Sequence, residues 1–466
     1  MSTCILTPRQ HSTHKRRTVY HFAAVASGPK HARVVSWYTG WFNALAWTFG
    51  AASLSSVLAN QILALYELFH PDYAVRQWHL LVVYLAFTWL TVAVVLFANR
   101  ALPAVGNIGA VLIILGFGVI VVTCAAMSGS SSGAGYASSH FVWRDWVNRT
   151  GYESDGFVFL MGMLNGAYAV GTPDLLTHLA EEMHQPRRNI PKAIGIQMGF
   201  GFLTAVGFLV AIFYSVHDPA RLFDADSSSL FPMVDVFLQA TGTKAGATGL
   251  IMVMVANGLF MSVGAYLTAS RITWTLARDN ALPFSSAVAR IHPRRENPSG
   301  AILVCGGVAT AMGFLYLGSS AALSAFFGCF VTLTTLSYLG AILPYLVTSR
   351  RHVVSSPGCF RMPRTVFVPV AALACLYIVT FVVIFCFPYS QPVAAAADMN
   401  FTCVIVGGIA VLMGVYWFAR ARRQYKGPEG ELLRKIQGFE VLRGEEHGGE
   451  SEDSTGEKRG ARATVT

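Results

Sequence analysis

The chain has 466 residues, 54% of them hydrophobic and only 12% charged, with a mean hydropathy of +0.50. Soluble globular chains carry roughly 25% charged residues, so this composition excludes an ordinary soluble domain. The net charge of +10 would suit a nucleic-acid partner, but basic residues also gather on the cytoplasmic loops of membrane proteins, and their placement decides between the two.

Residues 1–34 read as a polar cytoplasmic segment. Met1 to Arg17 are polar and basic with no secretory signal, and the apolar stretch Val19 to Ser27 is too short to cross a bilayer. Residues 35–423 read as a transmembrane domain. Ten apolar runs in it are long enough to span: Trp37–Leu65, Trp78–Ala98, Leu102–Met127, Gly156–Leu179, Ile194–Val216, Gly246–Ala269, Ala301–Leu317, Ala321–Thr348, Val366–Phe387 and Phe401–Ala419. Residues 424–466, rich in Gly, Glu, Lys, Arg and Ser, read as a disordered cytoplasmic tail.

With the N-terminus in the cytosol, all but five of the 34 Lys and Arg fall on cytoplasmic segments, the exceptions being Arg76, Arg144, Arg149, Arg221 and Lys244. That bias predicts cytoplasmic termini and accounts for the basic balance without nucleic acid. The sequons at Asn148 and Asn400 then fall outside, as candidate glycosylation sites. Five of the eight cysteines (Cys124, Cys305, Cys329, Cys375, Cys386) sit in or at the ends of apolar runs without paired spacing and read as packing residues.

The fourth run carries the strongest local signal. Gly171 weakens the helix, and Thr172-Pro173-Asp174 reads as an N-cap, a proline at the first helical position and an acid in the first turn, so two half-helices share one span. Broken helices occur in a bilayer only where the freed backbone is buried in protein or lines a cavity. Carbonyls near Ala167 to Val170 are therefore candidate acceptors for an ammonium, and Tyr168 offers an aromatic face to a quaternary amine. Asp174 is the one acid well inside a span, which makes it a functional candidate; a purely helix-stabilising acid is the competing role. Asn165, Gly166, Ala167, Tyr168, Gly171, Thr172 and Asp174 form the candidate substrate set, joined by Asn257 of the sixth run. For Asn165 and Asn257, hydrogen bonding between helices is the commoner role. His178, Glu181, Glu182 and His184 match no metalloprotease spacing, so neither metal nor cofactor is expected, and no face gathers the groups of an enzyme. Arg271, Arg278 and Asp279 leave the sixth run in a charged block ending at Phe284.

The block Gly166–Ile190, with its Thr-His-Leu-Ala-Glu-Glu core, and the block Ser270–Phe284, with its Ala-Arg-Asp-Asn-Ala-Leu-Pro core, resemble the fungal amino acid/choline permeases (choline- or GABA-permease-like) of the amino acid–polyamine–organocation superfamily. The resemblance runs from about Tyr20 to Arg423. It implies an all-α integral membrane protein with the inverted-repeat permease fold, moving amino acids, GABA or choline across the plasma membrane, with proton coupling or the membrane potential as driving force. It implies that the fourth run is the family's sixth helix, whose unwound middle holds substrate, and that Arg271, Arg278 and Asp279 belong to a cytoplasmic gate. The family has twelve helices; the two preceding Trp37 are not matched, save that Tyr20-His-Phe-Ala-Ala-Val resembles the inner end of the second. A shortened, non-transporting sensor or partner protein is the alternative this implies.

Overall fold

The computed structural model describes residues 19–129, 135–178, 186–219, 222, 230–318, 322–348, 362–394, 398–425 and 427–428. The helices that matter here are α1 (Val19–Phe69), α2 (Gln77–Phe97), α3 (Leu102–Met127), α4 (Asp155–Val170), α5 (Leu175–His178) and α6 (Pro186–Ser215). They continue with α7 (Met233–Thr241), α8 (Lys244–Arg278), α9 (Ser299–Gly313), α10 (Ala322–Val347), α11 (Arg364–Ile384) and α12 (Thr402–Tyr416). Among the described residues there is no strand. Nine helices there are long and apolar enough to cross a membrane, and the tenth predicted run is the interrupted pair α4 and α5.

α1 is broken near its start. Gly28 has φ 69° and ψ 173°, a conformation that costs glycine little, and Pro29 brings no N–H to continue the ladder. The short helix before the break, within the segment that the sequence assigns to a polar terminus, is buried, with Val19 and Ala23 packed against Ala341 of α10. Beyond the break α1 runs through the middle of the bundle. Of its most apolar stretch 78% is buried, against 6% for the Asn189–Ser215 stretch of α6, so α1 is the axle and α6 lies at the periphery. Large apolar side chains such as Phe202 and Leu203 of α6 stand outward, as suits a helix surrounded by lipid.

α1 approaches its neighbours closely because small residues face them. A Cβ added at Gly50 would lie 2.7 Å from Cε2 of Phe330 on α10, and one at Gly40 would lie 2.7 Å from Cδ2 of Leu276 on α8. Gly50→Ala is therefore expected to cost about 1–3 kcal/mol of stability through overpacking. The readout is melting temperature in detergent, with Gly249→Ala, whose Cβ meets nothing within 4 Å, as the neutral control. Hydroxyls buried in α1 turn back on their own helix: Thr48 donates to the Ala44 carbonyl at 2.9 Å and Ser53 to that of Gly50 at 2.7 Å.

Candidate functional site

The break in the fourth run lies where the sequence puts it. α4 begins at Asp155, with the Ser154 hydroxyl accepting from the Phe157 N–H, and stops at Val170. A Cβ at Gly171 would fall inside van der Waals contact of the Ala167 carbonyl, so the chain can leave the helix there only with glycine's bare backbone. The helix restarts at Leu175, slightly later than the Thr-Pro-Asp pattern predicts. The turn holds because the Asp174 carbonyl accepts from the Thr177 N–H at 2.8 Å and the Thr177 hydroxyl at 2.7 Å. Two carbonyls freed by the break find donors on other helices. Gln197 of α6 donates to that of Thr172 at 3.1 Å, and Tyr338 of α10 to that of Gly171 at 3.4 Å.

The Asp174 side chain is 3% exposed, and donors surround it. Oδ2 accepts from Asn43 Nδ2 at 2.8 Å and from Trp47 Nε1 at 2.9 Å, both on α1, and lies 3.4 Å from His178 Nε2. Oδ1 accepts from the Tyr338 hydroxyl at 2.6 Å. Asn43 also donates to Ser337 Oγ at 3.2 Å. A carboxylate has about four lone-pair positions; three of these contacts fall on Oδ2 and one on Oδ1. Among the described ion pairs, Asp174 meets no Lys or Arg. The arrangement is a buried carboxylate held by side chains from three segments.

Trp47 joins this carboxylate to a cavity of about 390 Å³. Its indole N–H faces Asp174, and its ring lines the cavity beside Tyr168, Ala169, Thr172, Phe260 and Phe330. Tyr168 is fixed by a 2.8 Å hydrogen bond with Ser53 Oγ, and its ring stands edge-on to Phe327 and Phe330, at 4.6 Å and 5.4 Å between centroids. The walls are aromatic and aliphatic, the polar groups few. Such a chamber suits a solute whose charge is carried on a hydrocarbon-clad ammonium.

The remaining expected residues are dispersed. Gly166 faces open space and Ala167 packs against the main core. Asn165 lines a different cavity, of about 340 Å³, with Thr150, Tyr389 and Asn400. Asn257 lies against Gly116 of α3, in keeping with a role between helices. Arg271 borders a smaller recess with Asn297 and Glu296. The Arg278 guanidinium sits 5.3 Å over the Trp274 ring and 3.8 Å from Asp279, and Asp279 accepts from the Tyr20 hydroxyl at 2.7 Å. The end of α8 is thereby tied to the short helix before Gly28. Of the two sequons, Asn148 is half-buried and donates to the Tyr152 carbonyl. Asn400 is 1% exposed, donates to the Phe385 and Phe387 carbonyls at 2.6 and 3.0 Å, and leaves no room for a glycan in this fold. Burial pushes the hydroxyl of neighbouring Tyr389 up to about 12. Glu181, Glu182 and His184 lie outside the described residues.

Asn43, Trp47, Phe330 and Tyr338 are the site residues that sequence reading missed. The only signal available was a polar or amphipathic side chain inside an apolar run, which Asn43 and Tyr338 supply.

The sequence profile of the family described as "Amino acid permease" matches residues 6–409. The chain is similar to the choline transporter of Saccharomyces cerevisiae, with 27% identity over 403 residues, covering 86% of this chain and 69% of that protein. It is similar to the amino-acid permease BAT1 of Arabidopsis thaliana, with 26% identity over 435 residues, covering 89% and 81%. It is also similar to the 7-keto 8-aminopelargonic acid transporter of S. cerevisiae, with 24% identity over 410 residues, covering 84% and 72%.

Proposed function

This chain belongs to the amino acid permease family and is a multi-span membrane transporter, not an enzyme; from that premise we propose that its cargo is a small solute bearing an ammonium group, choline foremost, with GABA and small amino acids next. The observation that carries this reading is the aromatic chamber beside the helix break. Trp47, Tyr168, Phe260 and Phe330 line it, and the Asp174 carboxylate accepts from the N–H edge of the Trp47 indole. Each cation–π contact contributes roughly 0.5–2 kcal/mol, more as water is excluded. Asp174 is tied to the chamber through the indole N–H, which its Oδ2 accepts.

Thr172 adds a hydroxyl to the lining of the chamber, where a hydroxyl or carboxylate of the cargo would be met. The relatives named above all carry transporter or permease names, which does not favour a non-transporting sensor. The placement we propose is the plasma membrane with both termini in the cytosol, supported by the basic-residue bias, with protons or the membrane potential driving uptake.

The test is uptake of radiolabelled choline, GABA and an amino-acid panel by permease-deleted yeast expressing this chain with a surface-readable tag. Choline uptake above the empty-vector control, inhibited by tetramethylammonium, is the expected result. A chain that reaches the surface and moves none of these solutes would reject the reading.

A further inference from the structure

The end of the bundle that the basic-residue bias assigns to the cytosol holds a recess that shares only Leu267 with the chamber. It measures about 160 Å³ and lies where α2 has ended, α8 nears its end and α9 begins, with Asn99, Ser270, Arg271, Glu296 and Asn297 in its lining. That is below the roughly 300–1,000 Å³ of a site for a drug-sized solute, so it suits a headgroup rather than a cargo. Its walls are tied in place. Asn297 Nδ2 donates to the Leu96 carbonyl at 2.8 Å and Asn99 Nδ2 to the Arg295 carbonyl at 3.2 Å, so each side fastens the other. The loop before α9 is closed on itself, the His292 N–H donating to the Asn297 carbonyl and the Glu296 N–H to that of His292, both at 2.9 Å.

The charge around this recess is predominantly basic. Arg271 stands in its wall, Arg100 follows Asn99, and Arg294 and Arg295 belong to the closed loop. The one acid of the lining, Glu296, has its carboxylate 3.8 Å from the Arg100 guanidinium. The apolar side chains nearby are turned outward. Phe97, at the end of α2, is 66% exposed and carries the Arg295 guanidinium 4.4 Å over its ring, and Leu303, next to Ile302 of the lining, is 46% exposed. Outward apolar side chains on a spanning helix meet acyl chains. A basic recess edged by such side chains has the layout of the boundary between headgroups and hydrocarbon.

We propose that this recess binds the phosphate of an anionic lipid headgroup from the inner leaflet, with Arg271 as its anchor and Arg100 and Arg295 at its rim. Guanidinium groups hold phosphate by paired, charge-assisted hydrogen bonds, and basic pockets between spanning helices on the cytoplasmic side suit headgroups of this kind. A phosphoinositide, whose phosphomonoester carries about two charges, matches the excess of guanidinium. Phosphatidylcholine matches it poorly, because its own ammonium is repelled by the same arginines. A bound headgroup joins α2, α8 and α9 at one end of the bundle, whatever solute the chamber carries.

The test is the melting temperature of the purified full chain in neutral detergent, titrated separately with dioctanoyl phosphatidylinositol 4-phosphate, dioctanoyl phosphatidylcholine, inositol 1,4-bisphosphate and inorganic phosphate. The expected result is a saturable rise with the phosphoinositide and none with phosphatidylcholine. In Arg271→Gln the half-saturating concentration rises at least tenfold, the loss of one hydrogen bond between charged groups. Arg295→Gln, at the rim, raises it about fivefold, one basic residue's share at an anionic surface, and serves as the test should the first variant fail to fold. Arg76→Gln, before the other end of α2, leaves the titration unchanged. A saturable rise with inositol bisphosphate or inorganic phosphate at the same concentrations, weakened by the arginine variants, keeps the phosphate site and assigns it to a soluble phosphate. No saturable rise with any of the four, or one that neither Arg271→Gln nor Arg295→Gln weakens, overturns the proposal.

Discussion

Asp174→Asn is expected to abolish choline uptake, with the protein still reaching the cell surface. Asn43, Trp47 and Tyr338 all present donors to the carboxylate. An amide in its place keeps one acceptor oxygen for the Asn43 and Trp47 donors and turns an N–H₂ toward the Tyr338 hydroxyl, which must give up its donated bond to accept one. Each buried donor left without a partner costs about 1–3 kcal/mol. The charge is lost as well; two unit charges about 8 Å apart at an effective permittivity of about 20 attract by about 2 kcal/mol, roughly a thirtyfold change in affinity. Together these effects put uptake at least a hundredfold down, about 2.7 kcal/mol or more on the tenfold-per-1.4 scale. Asp174→Glu, which restores the charge with one methylene too many in a filled pocket, is expected to recover a part. Tracer uptake normalised to surface protein reads all three, and unchanged uptake in the asparagine variant would remove Asp174 from the transport path.

Trp47 carries the second large effect because it serves two partners at once. Its N–H holds the carboxylate, and its ring forms a wall of the chamber. Trp47→Phe keeps an aromatic face and discards a hydrogen bond to a charged acceptor, worth about 1.5–3 kcal/mol, so KM for choline is expected to rise about tenfold. Trp47→Leu discards the face too and adds the loss of a cation–π contact, about 0.5–2 kcal/mol, for a rise approaching a hundredfold. The separation between the two variants is the informative quantity. Equal losses would mean that only the tie to Asp174 matters and that the ring does not meet the cargo.

The ten spans were legible because their apolar runs are long and their charges fall between them. The helix break was legible too, since Gly171, Pro173 and Asp174 each disturb a helix by a local mechanism that needs no tertiary context. What closes around the break was not. Asn43, Trp47 and Tyr338 lie 131, 127 and 164 residues from Asp174, and they meet it only because of how α1 and α10 are rotated about their axes. A soluble helix advertises that rotation through an apolar stripe, but a helix apolar all round carries no stripe to read. The same gap explains Asn257, whose polar side chain marks it in the sequence although it faces α3. It explains Asn400 as well, whose sequon is plain while its amide is spent on two carbonyls. The helix before Gly28 was too short to register as a span, and its burial depends on α10, which the local sequence does not reveal.

The chamber is proposed to bind an ammonium by its charge as well as its bulk. Choline and 3,3-dimethylbutan-1-ol have nearly the same shape, with a quaternary nitrogen in one and a quaternary carbon in the other, so competition against labelled choline on the purified chain separates the two contributions. The alcohol is expected to compete at least a hundredfold more weakly than unlabelled choline, a gap of about 2.7 kcal/mol. Equal competition would contradict it, leaving a chamber that recognises apolar volume alone.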